Sequence, residues 1–300
     1  MNKPKLIVIL GQTATGKSDF AVDIAREIKG EIISADSRQV YKGMDLGTGK
    51  ITKKEMRGVP HFLLDINSPS KVFTVSDFKK MADKKIEEIL NRKNIPIICG
   101  GTGFYIDTVI NGNVYPEVPP NEKLRKKFGS YSTAALCELL SKLDEDRLKT
   151  IDKNNKVRLI RAIEIAYALG SVPKINNENN KFKILKIGLS VPDELLKERI
   201  MLRLISRIKK GMIKEIQNLH DNGTTWKRMG DLGLEYRYIS QYLQKKLTKE
   251  EMIEKLYTEI WHFAKRQKTW FKRDKETIWI NPLKKSDKLK ALKEVKKFLK

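Results

Sequence analysis

A short apolar run followed by a glycine-rich loop constrains this chain more than any other feature. Residues 6–10 read LIVIL, and residues 11–18 read GQTATGKS. The loop matches G-x-x-x-x-G-K-[ST] at every fixed position, and it lies between a predicted strand and a predicted helix. Backbone amides, the positive end of a helix and a lysine form a cradle for phosphate groups. The pattern therefore predicts an α/β fold with a phosphate-binding loop, the P-loop.

The P-loop defines a phosphate site but not a reaction. Lys17 adds a full positive charge, and the Ser18 hydroxyl can hold Mg²⁺. Hydrolysis of a nucleoside triphosphate would also need a carboxylate for the metal, and Asp36 and Asp65 are the candidates. A P-loop kinase or ATPase therefore stays open at this point. The residues predicted to contact phosphate are Gly11, Gln12, Thr13, Ala14, Thr15, Gly16, Lys17 and Ser18.

Short apolar strands alternate with helical patterns in the first third of the chain. Helical spacing of apolar residues covers 17–28 and 75–91. Continuous apolar strands separated by helices are typical of a parallel sheet covered on both faces. We therefore predict a P-loop kinase-like parallel sheet flanked by helices. The predicted strands are LIVIL (6–10), EIISAD (31–36), HFLLDI (61–66) and IPIIC (95–99).

The pattern changes after residue 112 and divides the chain into three segments. Residues 1–112 form the first part of the core, and residues 113–180 are predicted to be a helical insertion domain that ends in the polar stretch NNENNK (176–181). Residues 181–300 return to the core and add basic C-terminal helices. In this last segment we predict strands at 182–190 and 277–280, helices at 193–221 and 249–273, and a lysine-rich terminal helix.

Two polar loops follow predicted strands, where open α/β sheets carry their ligands. The first, SADSRQVYKGMDLGTG (34–49), places a carboxylate, Asp36, before hydrogen-bond donors. Asp36 is either a general base or the N-cap of a helical turn. The second, GGTGFY (100–105), offers the Thr102 hydroxyl to a ligand or to a helix cap. Both alternatives remain open for each loop.

The charge balance indicates a polyanionic partner or a lysine-rich surface that serves solubility. Lysine and arginine number 61 against 37 acidic residues, a net charge of +24. The two cysteines, Cys99 and Cys137, are expected to be buried, reduced thiols, and the three histidines form no zinc pattern. The N-terminal apolar run is too short for a signal peptide or a membrane span, so we expect a cytoplasmic protein.

In the motifs taken together, the chain resembles the tRNA dimethylallyltransferases, also called tRNA isopentenyltransferases. The resemblance implies transfer of a dimethylallyl group from dimethylallyl diphosphate to the N6 amine of the adenosine 3′ of the anticodon, in tRNAs that read codons starting with U. Residues 229–238, MGDLGLEYRY, depart from the family pattern. The motifs are GQTATGKS, SADSRQVYKGMDLGTGK (34–50), HFLLDI, IPIICGGTGFY (95–105), NKVRLIRAIE (155–164), KKGMIKEIQNL (209–219) and AKRQKTWFKR (264–273).

The resemblance also implies roles for individual residues. Asp36 would be the general base, with Thr102 beside the same adenine and Lys17 on the leaving diphosphate. Arg203 would join Lys17, and Mg²⁺ would be the cofactor, held by Ser18. The partners would be the anticodon stem-loop of tRNA and dimethylallyl diphosphate, and we expect a monomer that does not bind membranes. Expected tRNA contacts are Asp36, Ser37, Arg38, Gln39, Thr102, Arg158, Arg161, Lys265, Arg266 and Gln267.

Three of the expected tRNA contacts lie on the predicted basic helix over 249–273. The alternative is that the basic face of this helix is a solvated surface without a role in RNA binding. Lys265, Lys268 and Lys272 share one helical face, and the aromatic residues of the helix are expected to be core. Two other functions compete with tRNA prenylation. One is a P-loop kinase or adenylate isopentenyltransferase that acts on a free nucleotide, and the other is an RNA-dependent ATPase.

Overall fold

The computed structural model describes residues 3–174, 176–177 and 181–300. The chain folds into two compact units, Met1–Gly112 with Asn179–Lys300, and Asn113–Glu178. Within the part that the structure describes, no helix is both long and apolar enough to cross a membrane.

The first unit begins with strands and helices in alternation. Its early elements are β1 (Lys5–Gly11), α1 (Lys17–Ile28), β2 (Gly30–Ser34), α2 (Lys53–Met56), β3 (His61–Phe62), α3 (Val75–Asn91), β4 (Ile95–Gly100) and α4 (Gly103–Ile110).

The second unit, from residue 113, is mainly helical. Phe128, Leu136, Leu140, Leu159 and Ile163 are buried in a core of its own. Its short strands pair antiparallel, and residues 178–180 of the predicted polar stretch lie outside the described residues. The elements are β5 (Asn113–Val114), α5 (Glu122–Phe128), α6 (Thr133–Leu143), α7 (Glu145–Thr150), α8 (Lys156–Leu169) and β6 (Asn176–Asn177).

The chain then returns to the first unit and adds the remaining helices. These elements are β7 (Lys183–Leu189), α9 (Asp193–Lys209), α10 (Met212–Asp221), α11 (Trp226–Leu232), α12 (Leu234–Leu243), α13 (Lys249–Phe271), β8 (Ile278–Ile280) and α14 (Lys285–Leu299). The helix predicted over 193–221 is therefore two helices. The break occurs at Gly211, whose φ of 102° is a conformation that favours glycine and ends the helical path.

Six strands form a parallel sheet in the order β3-β2-β4-β1-β7-β8. Successive residues of β1 enter different cores, because side chains alternate along a strand. Leu6 and Val8 pack with α3 and α4, whereas Ile7 and Ile9 pack with α1 and α14. The sheet is thus covered on both faces, and the α/β fold predicted from the sequence is confirmed.

Strand β3 is shorter than the predicted strand over 61–66. It ends at Phe62, because Leu63 (φ 62°) and Asp65 (φ 54°) adopt left-handed backbone conformations that cannot continue a strand. The apolar run HFLLDI therefore contributes one short edge strand and then a turn.

Candidate functional site

A cavity of about 280 Å³ lies where three neighbouring strands end. Strands β1, β4 and β2 are adjacent in the sheet, so the loops that follow them meet at one edge. These loops are the P-loop, the segment from residue 34 and the GGTG loop at 100–103. The structure brings together in the cavity Thr13, Ala14, Gly16, Lys17, Ser18, Asp36, Gln39, Arg203 and Gln267 of the predicted site residues.

The P-loop is held by its own side chains. Gln12 is 2% exposed, and its carbonyl accepts hydrogen bonds from Thr15 Oγ1 (2.8 Å) and Lys17 Nζ (2.6 Å). Gln12 Nε2 in turn donates to Ala264 O of α13 at 3.2 Å. Gln12 and Thr15 are not among the residues that line the cavity, nor is Gly11. The side chains of Gln12 and Thr15 stabilise the loop, and the N–H groups of residues 14–16 have no acceptor among the described residues, so they remain available to phosphate.

Gln267 on α13 fixes two loops at once. Its Oε1 accepts from the N–H of Thr13 (2.8 Å), and its Nε2 donates to the carbonyl of Gly101 (2.8 Å). A Cβ at position 101 would lie 2.4 Å from Gln267 Nε2, so a side chain there would displace the Gln267 amide from the loop. Gln267 is only 6% exposed. The structure therefore places this residue, predicted on the tRNA-binding face, between the P-loop and the GGTG loop.

Three arginines spaced four residues apart on α9 point toward the loops around the cavity. Arg199 Nε donates to the P-loop carbonyl of Ala14 at 2.8 Å. Arg207 Nη1 donates to the carbonyls of Leu46 and Gly47 at 3.1 and 3.0 Å. Arg203, between them, lines the cavity and makes no hydrogen bond to the described residues. The middle guanidinium is thus available for an anion.

Burial weakens the protonated forms of the two cations in the cavity. It lowers the pKa of Lys17 to about 8, with the Arg203 charge acting in the same direction. Burial also lowers the pKa of Arg203 to about 10, and Arg207 and Arg199 add repulsion. An anion bound beside both groups would relieve this cost, since it would offset desolvation and repulsion together. The site is therefore suited to a multiply charged phosphate.

Asp36 lines the cavity, and among the described residues no cation forms an ion pair with it. Its Oδ1 accepts from the backbone N–H of Arg38 (2.8 Å) and Gln39 (3.3 Å), which caps the turn that follows β2. The two interpretations of this residue are thus compatible, because one carboxylate oxygen caps the turn while the residue still faces the cavity. Ser34 Oγ donates to Gln39 Oε1 at 3.2 Å and orients that amide.

Thr102 occupies the N-cap position of α4, but its hydroxyl makes no cap hydrogen bond. Thr102 Oγ1 instead accepts from the N–H of Ser37 at 3.0 Å, and the backbone N–H of Thr102 donates to Ala35 O at 3.1 Å. Thr102 therefore ties the GGTG loop to the turn that carries Asp36. Thr102, Ser37 and Arg38 are not among the residues that line the cavity.

The second carboxylate considered for a metal, Asp65, is engaged elsewhere. It forms an ion pair with Lys50, whose side chain is 6% exposed and also pairs with Asp45. Asp65 does not line the cavity, whereas Asp36 does. In the described ranges, no three His, Cys, Asp or Glu residues come together as a metal-binding group. A cation here would rely on the Ser18 hydroxyl, the neighbouring carboxylates and substrate oxygens.

The predicted tRNA contacts of the second unit differ in their surroundings. Arg158 is exposed near the start of α8. Arg161 is half-buried, because its Nη2 donates to Val118 O (2.7 Å) and its Nη1 bonds Glu164 (3.2 Å). Of the two, only Arg158 is exposed.

On α13, the basic residues around Gln267 remain on the surface. Lys265 and Arg266 are exposed, and Lys265 Nζ lies 5.7 Å from the centre of the Trp261 ring. Lys268 forms an ion pair with Asp193 at 2.7 Å. Phe263, expected in the core, is 39% exposed and lines the cavity.

Several cavity residues were not predicted from the sequence. Arg199 carried a usable signal, since it precedes Arg203 by one helical turn. His61 bonds Val59 O through Nδ1 (2.9 Å), and burial lowers its pKa. Burial raises the pKa of the Cys99 thiol to about 12, which keeps it protonated. Cys137, by contrast, is only half-buried.

Comparisons with known proteins show which family this chain is similar to. The family model described as IPP transferase matches residues 39–274. The chain is 46% identical over 286 residues to tRNA dimethylallyltransferase 2 of Treponema denticola, covering 93% of this chain and 96% of that one. It is 41% identical over 297 residues to tRNA dimethylallyltransferase 1 of Syntrophus aciditrophicus, covering 96% of each.

Solved structures are similar over nearly the whole chain. The full-length tRNA isopentenylpyrophosphate transferase from Bacillus halodurans superposes with a TM-score of 0.74 at 36% identity, covering 99% of this chain and 96% of that one. A eukaryotic dimethylallyltransferase, solved in crystallographic snapshots of its action on tRNA, gives a TM-score of 0.83 at 27% identity and covers 99% and 79%.

Proposed function

The chain belongs to the IPP transferase family, and on this premise we propose that it transfers the dimethylallyl group of dimethylallyl diphosphate to tRNA. The acceptor is the exocyclic N6 amine of the adenosine 3′ of the anticodon, in tRNAs that read codons starting with U. The observation that carries the proposal is one cavity that combines two partly buried cations, Lys17 and Arg203, with a carboxylate, Asp36.

The cations act on the leaving group. When the bond between the allylic carbon and oxygen breaks, negative charge develops on the diphosphate, and positive charge spreads over the alkene. The P-loop amides, Lys17 and Arg203 stabilise the departing diphosphate in a partly dehydrated site. The same residues hold the donor in place before the reaction. The phosphate site thus serves a carbon-transfer reaction, in which the diphosphate is a product.

Asp36 acts on the nucleophile. The lone pair of an adenine amine is delocalised into the ring, so the amine gains nucleophilicity only as its proton is removed. Asp36 accepts that proton while the N–C bond forms, a contribution of about 10²- to 10⁴-fold. Thr102 and Ser37 hold the turn of Asp36 in position through the 3.0 Å hydrogen bond between them.

Mg²⁺ fits the donor set of the cavity, because it prefers oxygen ligands and is commonly bound together with substrate phosphates. Ser18 would supply the hydroxyl oxygen, next to Lys17 in the P-loop. Bound there, Mg²⁺ would neutralise charge on the leaving diphosphate.

Basic side chains in each of the two units bind the RNA. Arg158 and Arg161 in the insert and Lys265 and Arg266 on α13 contact the phosphate backbone of the anticodon stem-loop, consistent with the net charge of +24. The target adenosine leaves its stack to reach the cavity, which costs less in a loop than in a duplex. We propose that the chain acts as a monomer in the cytoplasm.

The decisive test incubates the protein with dimethylallyl diphosphate, Mg²⁺ and an anticodon stem-loop that carries three adenosines. We expect mass spectrometry to show one added dimethylallyl group, at the adenosine 3′ of the anticodon. Asp36→Asn should lower the rate by about 10²-fold or more, whereas Asp231→Asn, a change at an exposed aspartate, should not.

Other outcomes would favour other functions. ATP hydrolysis stimulated by tRNA, with no prenylated RNA, would indicate an RNA-dependent ATPase. Prenylation or phosphorylation of free nucleotide, with no affinity for the stem-loop, would indicate an enzyme of small molecules. Full activity of Asp36→Asn would remove Asp36 from the role of base.

A further inference from the structure

A glutamate on α10 binds the backbone of a segment that follows Asp36. Glu215 Oε2 accepts from the N–H groups of Asp45 (3.0 Å) and Leu46 (2.6 Å). Its Oε1 accepts from the N–H of Gly47 (3.0 Å) and from the Tyr236 hydroxyl (2.9 Å). One carboxylate thus receives four hydrogen bonds, three of them from consecutive amides. Consecutive N–H groups that point the same way form a nest for an anion, and here a side chain of the protein fills it.

The opposite side of the same segment is held by a cation. Arg207 Nη1 donates to the carbonyls of Leu46 and Gly47, and it also pairs with Glu235 at 3.3 Å. Both Arg207 and Glu235 are largely buried. The N–H groups of this segment therefore bind a side chain of α10, and the carbonyls of Leu46 and Gly47 bind a side chain of α9.

This segment leads directly into the cavity wall, although its own three residues do not line the cavity. Thr48 and Gly49, which follow it directly, line the cavity. A Cβ at Gly49 would lie 2.9 Å from Arg203 Nη2, and a Cβ at Gly47 would lie 2.5 Å from the Tyr236 ring. The backbone is thus packed between Tyr236 and Arg203, and a shift in it would displace the guanidinium of Arg203.

We propose that Glu215 is a positioning residue for the diphosphate site. Its carboxylate fills the amide nest of residues 45–47, and it thereby holds Thr48 and Gly49 against Arg203. Glu215 does not line the cavity and acts on the substrate only through this segment. The identity of the bound group as a diphosphate rests on the proposed function, whereas the contact between the segment and Arg203 does not.

The test is chemical rescue of Glu215→Ala. We expect the affinity for inorganic pyrophosphate, measured by calorimetry, to fall by about tenfold, because Arg203 loses its fixed position. The KM for dimethylallyl diphosphate should rise by the same factor, and the KM for the stem-loop should not change. Acetate, which matches the deleted part of the side chain, should fill the vacated nest and restore pyrophosphate affinity, whereas neutral acetamide should not.

Matched variants separate this role from general destabilisation. Glu254→Ala, at an exposed glutamate of α13, should bind pyrophosphate like the wild type. Glu215→Gln keeps one acceptor oxygen and should fall between wild type and alanine. A folded Glu215→Ala with unchanged pyrophosphate affinity, or one that acetate does not rescue, would overturn the proposal. If the alanine variant does not fold, wild-type affinity of Glu215→Gln would do the same.

The pyrophosphate titration also keeps the two proposals apart. It requires no prenyl transfer and no RNA. A wild-type protein that binds pyrophosphate but never prenylates the stem-loop would reject the proposed function, and the Glu215 variants would still decide the positioning role.

Discussion

Two loops of the cavity treat their backbone amides in opposite ways. In the P-loop, the N–H groups of Ala14, Thr15 and Gly16 have no acceptor among the described residues. In residues 45–47, all three N–H groups bind Glu215. Side chains hold both loops, but the P-loop keeps three amides without a partner among the described residues, whereas residues 45–47 are held through their amides. The difference teaches that a loop can present a backbone anion site only when other groups fix its shape.

The P-loop meets this condition through distant helices. Gln267 takes one amide, that of Thr13, and Arg199 takes the carbonyl of Ala14. Its remaining amides stay available to phosphate. Four predictions test what anion binding depends on: the charge of Lys17, the side chain of Gln267 that supports the P-loop, and the backbone at Gly49 beside Arg203.

Removal of the P-loop lysine should have the largest effect. Lys17→Met removes a cation from the site of the leaving group, so kcat/KM for dimethylallyl diphosphate should fall by about 10²- to 10³-fold. Steady-state kinetics with the stem-loop in excess measures this. Lys268→Met, at a cation paired with Asp193 outside the cavity, is the matched control and should change it little. Equal losses in both variants would contradict the assignment.

Removal of a support should have the second largest effect. Gln267→Leu deletes the bonds to Thr13 and Gly101, worth about 1 kcal/mol each, so pyrophosphate affinity should fall by about 30-fold. If Gln267 supports the P-loop, the KM for the stem-loop stays constant. A raised KM for RNA with normal pyrophosphate affinity would instead make Gln267 a tRNA contact. Lys265→Gln, two residues away, should show that opposite pattern.

The third effect is a dependence of pyrophosphate affinity on pH, which follows from the two cations of the cavity. Lys17, with its pKa near 8, carries its charge below that pH and loses it above, whereas Arg203, near 10, stays charged. Pyrophosphate affinity should therefore fall by about tenfold between roughly pH 7 and 9 relative to Lys17→Met. Calorimetry of both proteins isolates the lysine, because the ligand titrates identically in each. A constant ratio would show that Lys17 does not titrate in this range.

A substitution at Gly49, in the loop beside Arg203, should have the smallest effect. Gly49 has φ of 61°, and a Cβ there would press on Arg203 at 2.9 Å. Gly49→Ala should raise the KM for dimethylallyl diphosphate about threefold and lower the free energy of unfolding by about 1 kcal/mol. Gly58→Ala also has positive φ but an open surrounding, so it should share the loss of stability and leave KM unchanged. A KM equal to wild type at position 49 would disconnect this loop from Arg203.

The sequence predicted the parts of the molecule that rest on local pattern. The bounds of α1 and α3 agree with 17–28 and 75–91, and the apolar runs at 6–10 and 95–99 lie within β1 and β4. Periodicity and the P-loop motif contain this information, because each depends on residues close in the chain.

The sequence could not predict parts that depend on distant contacts. Left-handed turns at Leu63 and Asp65 end a run that reads as a strand, and Lys50 pairs with Asp65 across 15 positions. Gln267 and Glu215 bond to backbone more than 160 residues away. Such bonds leave no period in the sequence, since a backbone acceptor or donor exists at every position. The supports of the site were therefore found only in the fold.

The helical register of α13 couples the orientation of its surface residues to that of the buried residue that supports the P-loop. Lys265 and Arg266 lie on its surface while Gln267, the next residue, is buried against the P-loop. One residue inserted upstream in the helix would move Gln267 by about 1.5 Å and turn it by about 100°. The same insertion would rotate the basic face by the same angle. The register of α13 therefore fixes the orientation of its basic face relative to Gln267, the residue that supports the P-loop. An insertion in the helix would displace both.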